Sequence, residues 1–224
     1  MSAPKKRLFP IVTADVALFT LTDHQLRVLL IKLANNPTPG GWALPGSVLK
    51  PDLDRNVDDT ALRALASKTR VVLPHLEQVT TSSGADRDPR GWSVSVLYYA
   101  LLPSDQVPAV AGDKTEAIEW CNPERPGHRL SFDHAQLLER ALATLRDKVE
   151  RGALPLHLLP GKFTLTDLQR ACEAILGREL DKGAFRRKIA DQPTLVPVRG
   201  EFLRGPQRPA QLYRAATDFR LLTN

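Results

Sequence analysis

A break at Ala153–Lys162 divides this chain into two differently patterned parts. It carries Pro155, Pro160 and Gly161. Proline fixes φ and has no amide hydrogen, so neither a helix nor a central strand runs through such a stretch. Two modules are therefore expected, residues 1–152 and 153–224. Charge follows the same division. From Gly161 to Asn224 there are twelve Lys or Arg against seven Asp or Glu, a net of +5, whereas the whole chain carries +6. Nucleic acid is the commonest partner of a basic module of this kind. A solvated basic face gives the same count, so charge alone does not decide between them.

In the first module, Ile11–Phe19 and Leu26–Leu33 are rich in β-branched and aliphatic residues and flank Thr22-Asp23-His24-Gln25. They read as strands joined by a turn. Val57–Thr69 reads as a helix with Leu62 and Leu65 on its buried stripe. His75–Thr81, Trp92–Leu102 and Ala117–Trp120 read as further strands, with a polar loop at Ser82–Gly91. Asp133–Arg151 is a long amphipathic helix, because Leu137, Leu138, Ala141, Leu142, Leu145 and Val149 recur at helical spacing. Gly152 suits the position just past its end.

The second module opens Phe163-Thr164-Leu165-Thr166-Asp167-Leu168. Thr164 can cap a helix while Asp167 answers from the third position, and Phe163 and Leu168 stand where a hydrophobic staple places its pair. That helix stops at Gly177; Asp181 can cap a second helix over Lys182–Ala190. Two short helices around a tight turn form a helix-turn-helix. Pro193–Tyr213, with its Gly-Glu and Gly-Pro turns, reads as a β-hairpin, the wing of a winged helix. On the second helix, Arg186 or Arg187 is placed for base contact, and Lys182 and Lys188 for phosphate. Arg199, Arg204 and Arg208 of the wing are placed for backbone or minor-groove contact.

The segment Gly40–Val71 reads GGWALPGSVLKPDLDRNVDDTALRALASKTRV. It resembles a Nudix box, G-x5-E-x7-R-E-U-x-E-E-x-G-U with U aliphatic, the loop–helix–loop that grips a diphosphate through magnesium. Trp42–Gly46 and the pair Arg63 and Leu65 are kept, but Ala64, Ser67 and Lys68 replace the helix carboxylates. The loop between Gly46 and Arg63 is also longer than the standard box. Magnesium takes oxygen ligands, usually carboxylates with phosphates and water. A methyl, a hydroxyl and an ammonium on one helix face leave no metal site and no activated water. A catalytic base could only come from elsewhere, such as Glu77, Asp86 or Asp88. Asp58 and Asp59 suit the positive end of the helix instead.

Composition excludes a few classes. No apolar run is long enough to span a membrane, and Asp15 interrupts the only stretch that could follow the basic N-terminus as a signal core. Cys121 and Cys172 lie far apart without metal-ligand spacing, as reduced thiols of a cytoplasmic protein do.

Together, WALPG at Trp42–Gly46, ALRALASKTRVV at Ala61–Val72, RDPRGWSVSVLYYALL at Arg87–Leu102, LSFDHAQLLERALATLRDKV at Leu130–Val149, FTLTDLQRACEAILGRELDKGAFRRKI at Phe163–Ile189 and RPAQLYR at Arg208–Arg214 resemble the Nudix-related transcriptional regulators of NAD metabolism, often called NrtR. The resemblance covers nearly the whole chain. It implies an α+β chain: a Nudix-like mixed-sheet α/β/α domain, then a winged helix-turn-helix domain. It implies a homodimer on double-stranded operator DNA, usually a repressor, answering to ADP-ribose or a related NAD metabolite. No catalytic residue, metal or cofactor is assigned. Arg63 is placed on the diphosphate, with an ion pair inside the domain as its competing role. Arg87, Arg90 and Trp92 are placed around the effector, with Trp92 in the core as the alternative. Two other readings stay open: a hydrolase of ADP-ribose-like substrates with relocated metal ligands, and a module that recruits a protein partner.

Overall fold

The computed structural model describes residues 9–35, 37–71, 76–106, 110–204 and 209–216. The long first strand organises the larger part. β1 (Ile11–Thr22) and β2 (Gln25–Leu33) form a hairpin whose two turn residues, Asp23 and His24, sit at φ 49° and 60°. Positive φ at both central positions matches the right-handed twist of the flanking strands. β3 (Trp42–Ala43), β4 (Gly46–Val48), α1 (Val57–Thr69), β5 (Glu77–Gly84), β6 (Ser93–Leu101), β7 (Thr115–Cys121) and α2 (His134–Glu150) follow. The seven-stranded sheet runs β3-β2-β1-β6-β5, with β4 paired to β1 and β7 to β2. β1 and β6 are parallel, Ile11 opposite Ser93 through Phe19 opposite Leu101. The other pairs are antiparallel.

Strand side chains alternate between faces, so β1 supplies two cores. Ala14, Val16 and Leu18 meet Ala61 and Leu65 of α1. Ala17 and Phe19 belong to the cluster built on Leu137, Ala141 and Leu145 of α2. α1 starts where the Asn56 side chain accepts the Asp59 amide at 2.8 Å and ends at Arg70, φ 57°. Its span agrees with the periodicity, but its stripe is Ala61, Ala64 and Leu65, with Leu62 only half-buried. Small residues let α1 lie close on the sheet. The expected strand at His75–Thr81 begins at Glu77 and runs on to Gly84; His75 lies outside the described residues.

The smaller part contains β8 (Phe163–Thr164), α3 (Leu165–Leu176), α4 (Lys182–Ile189), β9 (Leu195–Leu203) and β10 (Ala210–Ala215), with the strands ordered β8-β10-β9. The capping box forms as its residues dictate: Thr164 Oγ1 accepts the Asp167 amide at 3.2 Å and Asp167 accepts the Thr164 amide at 2.8 Å. Gly177 closes α3 at φ 70°, and Asp181 caps α4 through the Ala184 amide at 2.7 Å. The Gly200-Glu201 turn does not form. Gly200 instead makes a positive-φ kink, φ 76°, inside β9. The ladder shifts register there, and Gln211 Nε2 donates to the carbonyls of Val198 and Glu201 at 2.7 and 3.1 Å.

The proline-marked break is irregular, apart from a short 3-10 turn at Leu156–Leu158, but it is not an exposed linker. Leu154, Leu156, Leu158 and Leu159 are all buried. They join Leu145 and Val149 of α2 to Leu168, Ala171, Cys172 and Ile175 of α3 in one apolar cluster. The two parts therefore share a core.

Removing the capping carboxylate should loosen the second part first. Asp167→Ala leaves the Thr164 amide without its acceptor, with the Thr164 hydroxyl no longer held, and should cost about 1 kcal/mol in chemical denaturation. An unchanged midpoint would show that the box contributes nothing.

Candidate functional site

A cleft of about 470 Å³ opens where the sheet meets the ends of α1 and α2. β1 contributes Thr13 and Asp15, β4 Gly46–Val48, α1 Arg63, Ser67 and Lys68, and the β5–β6 loop Arg87, Asp88 and Arg90. Gly46 is required by contact rather than by φ: a Cβ there would lie 1.9 Å from Asp15 Oδ1.

Arg63 lines the cleft, but its fork is already engaged. Nε and Nη2 donate to the two oxygens of Asp54 at 2.6 Å each, Nη1 donates to Ser47 Oγ at 3.0 Å, and Nη2 also reaches the Val48 carbonyl at 2.9 Å. Asp54 further accepts the Lys50 amide and the Thr60 hydroxyl. Arg63 holds the Asp54 carboxyl well below the usual range, against the opposing effect of burial. Arg63 thus fastens the lengthened loop to α1, the competing role that the sequence left open.

Ala64 is fully buried, and the Ser67 hydroxyl turns back to the Ala64 carbonyl at 3.4 Å. Lys68 faces the cleft at the position of a box carboxylate. Burial lowers its pKa, and neighbouring Lys114 lowers it further against Asp113. The loop carrying Lys114 is pinned to the last turn of α1: the Asp113 amide donates to Ser67 O at 2.7 Å and the Gly112 amide to Lys68 O at 2.9 Å. Lys50 also lines the cleft. This donor set does not fit magnesium, because ammonium groups stand where oxygen ligands are needed. It fits an anion.

Deeper in, Asp15 accepts the Ser95 hydroxyl at 2.5 Å and the Thr13 hydroxyl at 3.3 Å. Arg87 is buried, donating to both oxygens of Asp133 at 3.1 and 2.8 Å and to Ser93 Oγ at 3.1 Å, with Asp15 at 3.9 Å. Burial raises the Asp133 carboxyl, but Arg87 and Ser82 outweigh it and the net shift is down. His134 Nδ1 accepts the Leu44 amide at 2.9 Å, so its Nε2 faces Asp15 Oδ1 at 3.6 Å. Arg90 lines the cleft more openly, its fork on buried Asp88 at 2.6–3.2 Å. Trp92 is 52% exposed and lies neither in the core nor among the cleft's lining residues. The indole expected at the ligand therefore points elsewhere. Its carbonyl serves the strand start, accepting the Ile11 amide at 3.0 Å.

The other expected surface is α4 and the wing. Lys182, Arg186 and Arg187 are exposed on α4, while Phe185 and Ile189 fill the core. Lys188 is exposed too, but its Nζ donates to the Glu150 carbonyl at 3.1 Å. Arg199 and Arg204 are exposed, Arg199 beside the Gly200 kink. Arg208 lies outside the described residues.

Sequence reasoning did not identify Asp15, Lys50, Lys114, Asp133 or His134, which come from four distant segments with no shared motif. The fold brings Glu119, Cys121 and His128 together with ligand atoms within 4.8 Å of one another. There His128 is already bonded to Glu119 at 2.9 Å and stacked on Trp42 at 4.1 Å, and burial pushes the Cys121 thiol up to about 11.

Arg63→Ala leaves buried Asp54 without its charge partner and should cost about 3 kcal/mol, as loss of one member of a buried pair does. Arg63→Lys should recover only part, since an ammonium lacks the fork. Asp54 has a lowered folded pKa, so its stabilisation is present above the unfolded value of about 3.9 and is lost as pH falls. Acid unfolding of Asp54→Asn should accordingly show a shallower slope below that pH than the native chain. Parallel slopes would show that the pair does not govern acid stability.

Comparison with known proteins agrees with this geometry. Residues 12–141 match the NUDIX domain model, and residues 155–215 match the NrtR DNA-binding winged helix domain. The chain is 42% identical over 208 residues to the ADPR responsive transcriptional repressor NtrR of Acinetobacter baylyi, covering 92% of this chain and 82% of that one. Its fold is similar to that of Shewanella oneidensis NrtR complexed with a 27mer DNA, with TM-score 0.80 and 36% identity, over 92% of this chain and 93% of the other. The NUDIX domain of that protein complexed with ADP ribose matches 64% of this chain and 94% of its own, with TM-score 0.58 and 39% identity. The chain belongs to the NrtR family, a Nudix domain joined to a DNA-binding winged helix.

Proposed function

We propose that this protein is a transcriptional repressor of NAD metabolism genes. In this reading it binds operator DNA as a homodimer through α4 and the wing, and it answers to ADP-ribose held in the Nudix cleft without hydrolysing it. One observation carries the reading: the face of α1 that would hold metal presents Lys68, beside Lys114 and Lys50, in a cleft of a DNA-binding chain. Fixed ammonium groups supply the positive charge that a diphosphate needs, with no metal to activate water. Arg90, half-open at the rim and paired with Asp88, is the most exposed guanidinium of the cleft. Arg63 and Arg87 also line the cleft, but their forks are engaged on Asp54 and Asp133 and hold its loops.

The hydrolase reading needs a free carboxylate in the cleft. Asp15 is engaged by Ser95 and Thr13, and Asp88 by Arg90. Glu77 lies on the α2 side of the sheet, paired with Tyr99 and Lys148. Asp86 is exposed and does not line the cleft. Asp113 also lines the cleft, but in the field of Lys68, whose ammonium repels a divalent ion. Among the described residues no helix is long and apolar enough to cross a membrane.

Calorimetry should find ADP-ribose binding of equal strength in EDTA and in magnesium. Lys68→Gln should weaken it by about tenfold, the loss of one charge-assisted contact. Because Lys68 has a lowered pKa, affinity should fall as pH rises, before the ordinary lysine value of about 10.4 is reached. AMP release with magnesium at enzymatic rates would overturn the reading in favour of a hydrolase.

On the DNA side, Arg186→Ala with Arg187→Ala should abolish sequence-preferring binding in a mobility shift, while leaving ADP-ribose affinity intact. Unchanged operator binding would move recognition away from α4.

A further inference from the structure

The shared core raises the question of how a ligand in the cleft is felt by α4. One helix touches both. α2 has 17 residues and spans about 25 Å at 1.5 Å per residue. At its start, Asp133 stands at the N-cap, yet its carboxylate makes no cap bond. It is taken instead by Arg87 and by Ser82 at 2.9 Å. His134, the first residue of the helix, holds the Leu44 amide at the cleft floor.

At its other end α2 grips the helix-turn-helix at three points. Arg146 Nε donates to the Ile175 carbonyl near the end of α3 at 2.8 Å. The Glu150 carboxylate takes Arg178 of the α3–α4 turn at 2.6 Å. The Glu150 carbonyl takes Lys188 of α4 at 3.1 Å. A cation at a helix C-terminus meets the negative end of the dipole and an unpaired carbonyl, so Lys188 is well placed there. A cavity of about 290 Å³ lies between this end of α2 and α3 and α4, lined by Glu150, Cys172, Phe185 and Lys188 among others. Its free space gives α4 room to shift without displacing a close-packed layer.

Resting on the function proposed above, we infer that α2 is the strut coupling the two sites, with Arg146 and Arg178 as positioning residues for α4. Each end has two arrangements. A diphosphate drawing on Arg87 releases Asp133, whose carboxylate can then cap α2. A DNA phosphate drawing on Lys188 releases the Glu150 carbonyl. Both ligands change the seating of one helix, so each alters the affinity of the other by the same factor.

The test uses the full-length chain and the double variant Arg146→Ala with Arg178→Ala, neither residue being placed in a ligand site. The operator affinity is measured with and without saturating ADP-ribose. In the native chain the ratio of the two should differ from one by about tenfold or more, the usual size of such coupling. In the variant it should fall to near one, while ADP-ribose affinity without DNA stays unchanged. A native-sized ratio in the variant overturns the strut. Amide exchange without any ligand supplies a second readout. The variant should exchange faster over Lys182–Ile189 than the native chain, with β1 and β6 unchanged, and equal protection of α4 overturns the strut as well. If the native chain itself shows a ratio of one, the function reading falls and amide exchange alone decides the strut. If the double variant fails to fold, Arg178→Gln is read in the same two ways.

Discussion

The buried pair of Arg87 and Asp133 is the contact on which the architecture of the cleft depends. Two charges brought out of water must be matched to each other and to further hydrogen bonds, or their desolvation dominates. Here the match is made by Ser82, Ser93 and, at longer range, Asp15. The pair locks the β5–β6 loop to the start of α2, and His134 beside it locks α2 to the Leu44 amide. The β5–β6 loop, the start of α2 and the cleft floor at Leu44 are positioned by that junction. The Arg63–Asp54 pair does the same on the opposite wall, between α1 and the loop that precedes it.

The chemistry of the cleft follows from which charges remain uncommitted once these pairs are made. Two guanidiniums are consumed in holding loops. The lysines face the space itself. In a hydrolase, carboxylates and a divalent ion would together present positive charge and an activated water. An ammonium in place of a carboxylate keeps the positive charge and removes the water's activator. Under the function proposed above, that substitution class would separate recognition of a diphosphate from its cleavage.

The junction of the two modules shows why a boundary in sequence is not a gap in space. Prolines end regular structure, but they do not exclude burial, because leucines between them can still pack. Leu154, Leu156, Leu158 and Leu159 do so, and with α2 and α3 they make the modules mechanically continuous. Lys188 illustrates the consequence. Its charge and helix position suit a phosphate, yet its ammonium lies on the Glu150 carbonyl of the neighbouring module.

What could be read from residues alone was local. Helical and strand periods placed α1, α2, β1 and β2 to within a few residues, and the Thr164–Asp167 box and Gly177 marked the ends of α3, because caps and periods involve neighbours in the chain. The emptied carboxylate positions were likewise visible, since helix spacing alone puts Ala64 and Lys68 on one face. The partners of the charges were not visible. That Arg63 belongs to Asp54, that Arg87 belongs to Asp133, that Trp92 faces solvent and that Lys114 stands by Lys68 are pairings across loops and strands. Such pairings depend on how the sheet and helices pack, which no local period encodes. Sequence by itself determined the two modules, their elements and the absence of box acids. Only the tertiary structure decided which cations hold the scaffold and which face the cleft, because a charge is free or spent according to what folding brings within reach.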